Sequence, residues 1–309
     1  MESLQQKMQT QNTKPLRLAL LGNAAFSAMS AIVLILFSEM IGSLIGTTNH
    51  LLLIAIGVGL GLFSADLFHQ ASRHRMQTWR ALYASFADAM WVIGTAVLLI
   101  WFPSAVNAAG SIILIGVATI VAVFGCLQFW GAGEAHRLKG SGYYRHCVAV
   151  EVPVDTAKMW QVISDLPGIN RYFPALRSSF IRGDMEPGIG ATRQCEDRSG
   201  KKWAEKCTKF VIGKSLEMEF LCDEEGFPYP ASEMIGGWEL QKTNDYSTEV
   251  HIWWELKPKP KFMAPLIMPL LGLKADIEFP PLVDRMADHE RPEDAMALIS
   301  RILLPSPSC

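Results

Sequence analysis

The sequence carries none of the short motifs that point to a familiar reaction. It has no GxSxG elbow, no glycine-rich phosphate loop and no HExxH, so no catalytic residue can be named from pattern alone. Its six cysteines (Cys126, Cys147, Cys195, Cys207, Cys222 and Cys309) show no CxxC spacing, and no Cys and His pair sits at ligand spacing. Neither a zinc knuckle nor a redox pair is expected, and neither a metal nor an organic cofactor is implied. The cysteines read as buried free thiols in a reducing compartment. Charge is sparse as well: 28 Lys and Arg against 30 Asp and Glu in 309 residues give no basic face for nucleic acid.

What the chain does have is apolar sequence, half of it hydrophobic with a positive mean hydropathy. The two halves differ. Up to Arg145 there are nine Lys and Arg and five Asp and Glu, nearly all placed between apolar blocks; the remainder carries nineteen basic and twenty-five acidic residues. Four apolar blocks, 18–37, 51–68, 82–102 and 105–130, each have the length that crosses a hydrocarbon core of about 30 Å. The first is too long for the apolar region of a signal peptide and reads as an uncleaved anchor. Lys7, Lys14 and Arg17 precede the first block, Arg73, Arg75 and Arg80 lie between the second and third, and Arg137, Lys139 and Arg145 follow the fourth. The two remaining connections contain no Lys or Arg, which places both termini and the second half on the cytoplasmic side of a bacterial-type inner membrane. The expected division is a four-helix transmembrane bundle over 1–139, a ligand-binding domain over 140–291 and a tail over 292–309.

Asn23, Asp66, Asp88 and Gln128 are strongly polar residues inside these blocks, all toward the cytoplasmic ends, and one shared polar layer is expected of them. Such groups either mark a pathway or hold the helices together by hydrogen bonds. Gly57, Gly59 and Gly61 read as close helix packing.

From Tyr143 the pattern turns to alternation. His146, Val148, Val150 and Val152 share one face of a strand, Asp155 caps a helix carrying Trp160, Ile163 and Leu166, and a short second helix is expected over 169–173. Six strands follow, over 175–182, 191–197, 202–212, 216–222, around 238–240, and 250–256, then a C-terminal helical region. One strand, two helices and six strands describe an α+β domain whose antiparallel sheet closes on a helix.

The opening VAVEVPVDTAKMWQVISDLPGINRYFPAL, the strands WAEKCTKF and KSLEMEF, and GGWELQ resemble the START-like (SRPBCC) superfamily, in its polyketide cyclase/dehydrase and lipid-transport branch, over about 143–288. The resemblance implies a helix-grip fold: a curved seven-stranded sheet around a C-terminal helix, enclosing an apolar cavity. The inward aromatic and aliphatic residues Phe173, Met218, Phe220, Trp238, Ile252 and Trp254 are the candidate ligand-binding residues, though each also suits core packing. Trp254→Ala is expected to cost about 3 to 5 kcal/mol if that side chain is fully packed.

Pro265 and Pro269 predict that the gripping helix is kinked or begins after Gly272. The segment before it, Lys257 to Lys261 and then Phe262 to Leu273, reads either as a loop over the sheet or as a membrane-facing lid presenting Met263, Leu266, Ile267 and Met268. His146 and His251 fall on first and last strands that neighbour in this fold, as a shared site or as ordinary strand residues. Three functions remain open: binding, presentation or transfer of a hydrophobic ligand (lipid, isoprenoid or polyketide-like) beside the bilayer; a cyclase or dehydrase acting on a membrane-soluble substrate; or a regulatory scaffold with a protein partner.

Overall fold

The computed structural model describes residues 12–73 and 76–288, together with 296 and 299. The amphipathic helix expected over 292–304 and the terminal PSPSC therefore lie outside the described residues, apart from those two positions. The chain forms two compact units, one of residues 12–135 and one that begins at His136.

The first unit holds five helices: α1 (Lys14–Leu36), α2 (Ser38–Ile45), α3 (His50–Ser72), α4 (Thr78–Trp101) and α5 (Ala108–Glu134). All but α2 are long and apolar enough to cross a membrane. The short α2 occupies a connection for which the sequence predicts no helix; it ends at Gly46, whose positive φ is the left-handed cap that glycine adopts without strain. Asn49 and Asn107 cap α3 and α5 through bonds of 3.1 and 2.8 Å to the amides of Leu52 and Gly110. Gly57 lies against Ala31 and Ile35 of α1, too close for a Cβ, whereas Gly59 has nothing within 4 Å and a Cβ on Gly61 would make only ordinary contact with Ala31 at 3.9 Å, so close packing requires glycine at one of the three. Leu18, Leu51, Leu62, Ile112 and many other apolar side chains point outward, as lipid-facing residues do.

The second unit is one seven-stranded antiparallel sheet with its helices. The strands are β1 (Tyr144–Val152), β2 (Leu176–Ile181), β3 (Thr192–Asp197), β4 (Lys202–Val211), β5 (Ser215–Phe220), β6 (Ala231–Asn244) and β7 (Ser247–Pro258), in the order β1-β7-β6-β5-β4-β3-β2. Between β1 and β2 come α6 (Thr156–Ser164), capped by Asp155 through a 2.7 Å bond to the Lys158 amide, and a 3-10 turn, Leu166–Arg171, that starts earlier than the short helix expected there. Met159, Trp160 and Ile163 of α6 join Val148, Val150, Leu216, Val250 and Ile252 in the main core. The last helix, α7 (Ala264–Met286), is gripped by the sheet and supplies Ala275, Leu282, Val283 and Met286 to that core. This is the helix-grip fold.

Three expectations change. The gripping helix begins at Ala264, not after Gly272: Pro265 occupies its first turn, where an amide would be unsatisfied anyway, and the helix continues through Pro269, Pro280 and Pro281. His146 pairs with Trp254 and Ala149 with His251, so an odd offset of three residues puts the two histidines on opposite faces, His251 beside Glu249 at 3.1 Å. Finally, Cys147 is disulfide-bonded and Cys126 is exposed, so the reading of buried free thiols holds for Cys195 and Cys207.

Candidate functional site

A cavity of about 220 Å³ lies between the inner face of the sheet and α7. All six residues singled out from sequence line it: Phe173 follows the 3-10 turn, Met218 and Phe220 come from β5, Trp238 from β6, and Ile252 and Trp254 from β7. Their common face follows from register, since Met218 stands opposite Gly236, Trp238 opposite Ile252 and Gly236 opposite Trp254. Phe279 of α7 closes the apolar side, its ring 4.5 Å edge-on to Trp254 and 5.9 Å from Phe173. Trp254 is half-buried and faces the cavity, so Trp254→Ala is expected to cost less than the roughly 3 kcal/mol of a packed tryptophan. Chemical unfolding of the two chains side by side measures this.

The opposite wall carries chemistry that sequence reasoning leaves undecided. Arg193 of β3 and Glu205 of β4 are direct cross-strand partners, both turned into the cavity and joined by an ion pair. Glu205 also accepts a 2.6 Å bond from the Trp203 indole, and Arg193 donates to the Leu166 carbonyl at 3.2 Å. Burial, the largest influence, pulls the Arg193 guanidinium toward losing its proton, but the Glu205 carboxylate and the neighbouring groups together turn the net shift upward. The Arg193 Nε is buried and has no hydrogen-bond partner among the described residues. Tyr229 stacks edge-on to Trp203 at 5.6 Å on the same wall, and burial raises its phenol. Burial likewise pushes the Cys195 thiol up to about 12, which makes it a poor nucleophile. The signal available in sequence is alternation: Trp203, Glu205 and Cys207 share one strand face, so a charge there has to point inward.

A second polar group meets the cavity at α7. His146 Nε2 lies 2.9 Å from Asp276 Oδ1, and its ring packs closely enough on Gly272 that a Cβ there would sit 2.9 Å away. Glu278, also lining the cavity, is raised by burial against the opposing charge of Lys274. Behind His146 lies His136, ring centroids 5.6 Å apart, with its Nδ1 3.1 Å from the Arg145 carbonyl. Burial first, and His146 second, push His136 down from 6.5 to about 3. In the unfolded chain this imidazole takes a proton near pH 6.5, whereas the folded chain refuses it until about pH 3. Stability therefore falls as pH falls through that window, by about 2 kcal/mol between pH 6.5 and pH 5. Thermal scans at pH 7 and pH 5 should differ accordingly, and His136→Gln should flatten the difference.

In the helical unit, three of the four polar residues singled out inside the apolar blocks meet. Asn23 Nδ2 donates to both oxygens of Asp88 at 3.2 and 2.9 Å, Gln128 Nε2 donates to Asp88 at 3.1 Å, and Ser27 donates to Asn23 at 3.3 Å. Asp66 stands apart, accepting from Gln70 at 2.5 Å and paired with Arg80, so the single polar layer resolves into two groups. Among the described residues no group of three or more His, Cys, Asp or Glu is arranged to hold a metal ion.

No family model matches the chain, and no curated protein does. Solved structures similar to it include a protein from Thermobifida fusca (18% identity, 48% of this chain and 99% of that one, TM-score 0.41). Others are the ZhuI aromatase/cyclase from Streptomyces sp. R1128 (13%, 47% and 94%, 0.40) and norcoclaurine synthase from Thalictrum flavum (16%, 50% and 94%, 0.39). Each covers about half of this chain. On its own topology, that half of the chain has the helix-grip fold that the START-like resemblance implies.

Proposed function

We propose that the chain is a membrane-anchored binder of a small hydrophobic ligand, which it holds, presents or transfers at the cytoplasmic face of a bacterial-type inner membrane. The observation that carries this reading is the cavity itself: mostly aromatic and aliphatic on the β5 to β7 and α7 side, where His146, Lys274 and Glu278 also border it, with one buried charged pair on the β3 and β4 side. An apolar pocket with few fixed polar groups suits a ligand that is mostly hydrocarbon with one oxygen-bearing end. Phe173, Met218, Phe220, Trp238, Ile252 and Trp254 grip the hydrocarbon; Arg193, with its spare Nε, meets the oxygen. The basic flanks Arg73, Arg80, Arg137 and Lys139 support the orientation.

The test is organic extraction and mass spectrometry of the full chain purified in detergent. A reproducible apolar molecule at near one copy per chain supports the reading and names the ligand class. A chain that carries none, and that takes up no added lipid, isoprenoid or polyketide-like compound, turns the proposal toward a protein partner.

The His146 and Asp276 pair at the cavity wall, with Glu278 raised by burial, favours a second reading: acid–base chemistry of the cyclase or dehydrase kind on the held molecule. Conversion of the extracted ligand by the full chain, lost in His146→Phe, would establish it.

The Asn23, Asp88 and Gln128 cluster is proposed as glue between α1, α4 and α5. Asp88→Leu strands two buried amide donors and is expected to cost about 1 to 2 kcal/mol against SDS unfolding in mixed micelles, with Asp88→Asn costing less.

A further inference from the structure

The 3-10 turn before α7 and the first turns of α7 present an apolar stripe that is exposed among the described residues. Phe262, in the 3-10 turn Lys261–Met263 that leads into α7, and Leu266 and Leu270 on α7 itself are 79, 37 and 48% exposed, the last two one helical turn apart, with exposed Lys274 a turn further on. Ile267 and Met268, which sequence alone assigns to an outward face together with Met263 and Leu266, are buried instead, and Met268 lines the cavity. The outward set is therefore Phe262, Leu266 and Leu270, and the helix turns Met268, Leu271 and Ala275 to the cavity, which Lys274 also borders. At the head of the stripe stand Lys259 and Lys261, both exposed and without an ion pair among the described residues. Lys257, by contrast, is engaged by Glu233 at 2.8 Å and lies over the Tyr143 ring.

We infer that this stripe docks on an anionic bilayer surface, with Phe262, Leu266 and Leu270 entering the acyl boundary and Lys259 and Lys261 meeting the phosphate or carboxylate headgroups. Three observations select a bilayer as the occupant. An exposed aromatic in the lead-in turn followed by two exposed leucines one helical turn apart, with basic residues beside them, is the pattern of an interfacial segment. Free cations at its head complement an anionic surface. The same chain carries four helices of membrane-crossing length, so the bilayer is the one partner present at high local concentration whenever the protein is in place. Docking brings one wall of the cavity to the lipid. It does not require that the cavity be filled, so it stands or falls separately from ligand binding.

The experiment uses the full chain in lipid nanodiscs. A Phe262→Cys variant in a Cys126→Ser, Cys222→Ser background, which removes the exposed and the partly exposed free thiol, is labelled with an environment-sensitive dye, and quenching by lipids carrying a nitroxide near the headgroup is measured. The reference label sits at Ile212→Cys, which is 78% exposed in the β4–β5 turn, at the opposite end of the strands from Pro258. The expected result is strong quenching at 262 and little at 212 in discs containing phosphatidylserine. Lys259→Gln with Lys261→Gln should shift the docked-to-undocked ratio by about 30-fold. Equal quenching at both positions, or quenching at 262 that neither the anionic lipid nor the two lysines affect, overturns the proposal. So does energy transfer between two labelled copies in place of lipid quenching, which would assign the stripe to a second copy of the chain. Extraction of ligand from the same preparations reports separately on the cavity.

Discussion

Glu205→Leu is expected to destabilise the C-terminal unit by about 3 to 5 kcal/mol, the largest single effect foreseen for this chain. Glu205 is 4% exposed and serves two partners, the Arg193 guanidinium and the Trp203 indole. Removing it leaves a cation in the cavity wall with a hydrogen bond to the Leu166 carbonyl and no countercharge across the strand, and it takes the acceptor from a buried N–H. For a unit of this size the change corresponds to a fall in melting temperature of roughly 6 to 20 °C. The double variant Glu205→Leu with Arg193→Met should recover most of the loss, because the cost lies in the stranded charge and not in the absence of an ion pair. If the double variant melts as low as the single one, the pair stabilises the wall through its own attraction and the stranded charge is not the cause. Whichever way stability goes, the double variant has no Nε to offer and should retain less of an oxygen-bearing ligand.

Gly236→Leu is expected to empty the cavity without unfolding the sheet. A Cβ at this position would stand 3.2 Å from the Trp254 ring and 3.3 Å from Phe220, contacts that a few tenths of an ångström of movement relieve. The rest of the leucine then has only the cavity to enter, since Gly236 faces inward between Met218 and Trp254. The overpacking should cost about 1 to 3 kcal/mol, while each 1.4 kcal/mol of lost ligand burial lowers retention about tenfold. Extraction and quantitation of co-purified molecules, normalised to folded protein, reads the effect. Unchanged retention would mean that any bound molecule sits elsewhere.

Much of this architecture is written in periodicities. The membrane helices follow from four long apolar runs, and β1, α6 and the later strands from alternation and one Asp cap, because those signals are local and summed over many residues. The inward face of the sheet is legible for the same reason, which is why all six chosen apolar residues border the cavity. The ion pair is not: Arg193 and Glu205 sit on separate strands, and which cross-strand neighbours they have depends on register, set by the whole sheet. The start of α7 escapes a reading that treats every proline as a breaker. A missing amide costs nothing in the first turn, where Pro265 sits, and burial on the core side offsets the cost of Pro269. The cluster of Asn23, Asp88 and Gln128 lies within reach of sequence only as a shared depth; that Asp66 turns instead to Arg80 depends on helix rotation, which depth does not fix.

The sheet order has a consequence for how the chain is made. β1 follows α5 after a short connection, yet the strand it pairs with is β7, with Val148 opposite Ile252, about a hundred residues later. At ordinary rates of translation, roughly 5 to 20 residues per second, β1 waits on the order of ten seconds for its partner. During that time a strand of valines stands unpaired while the rest of the sheet is still being synthesised, and an unpaired strand is where a growing chain is most exposed to mispairing. Long-range closure of this kind is slow by topology, so the maturation of this protein should be limited by the arrival of its last strand and not by the insertion of its helices.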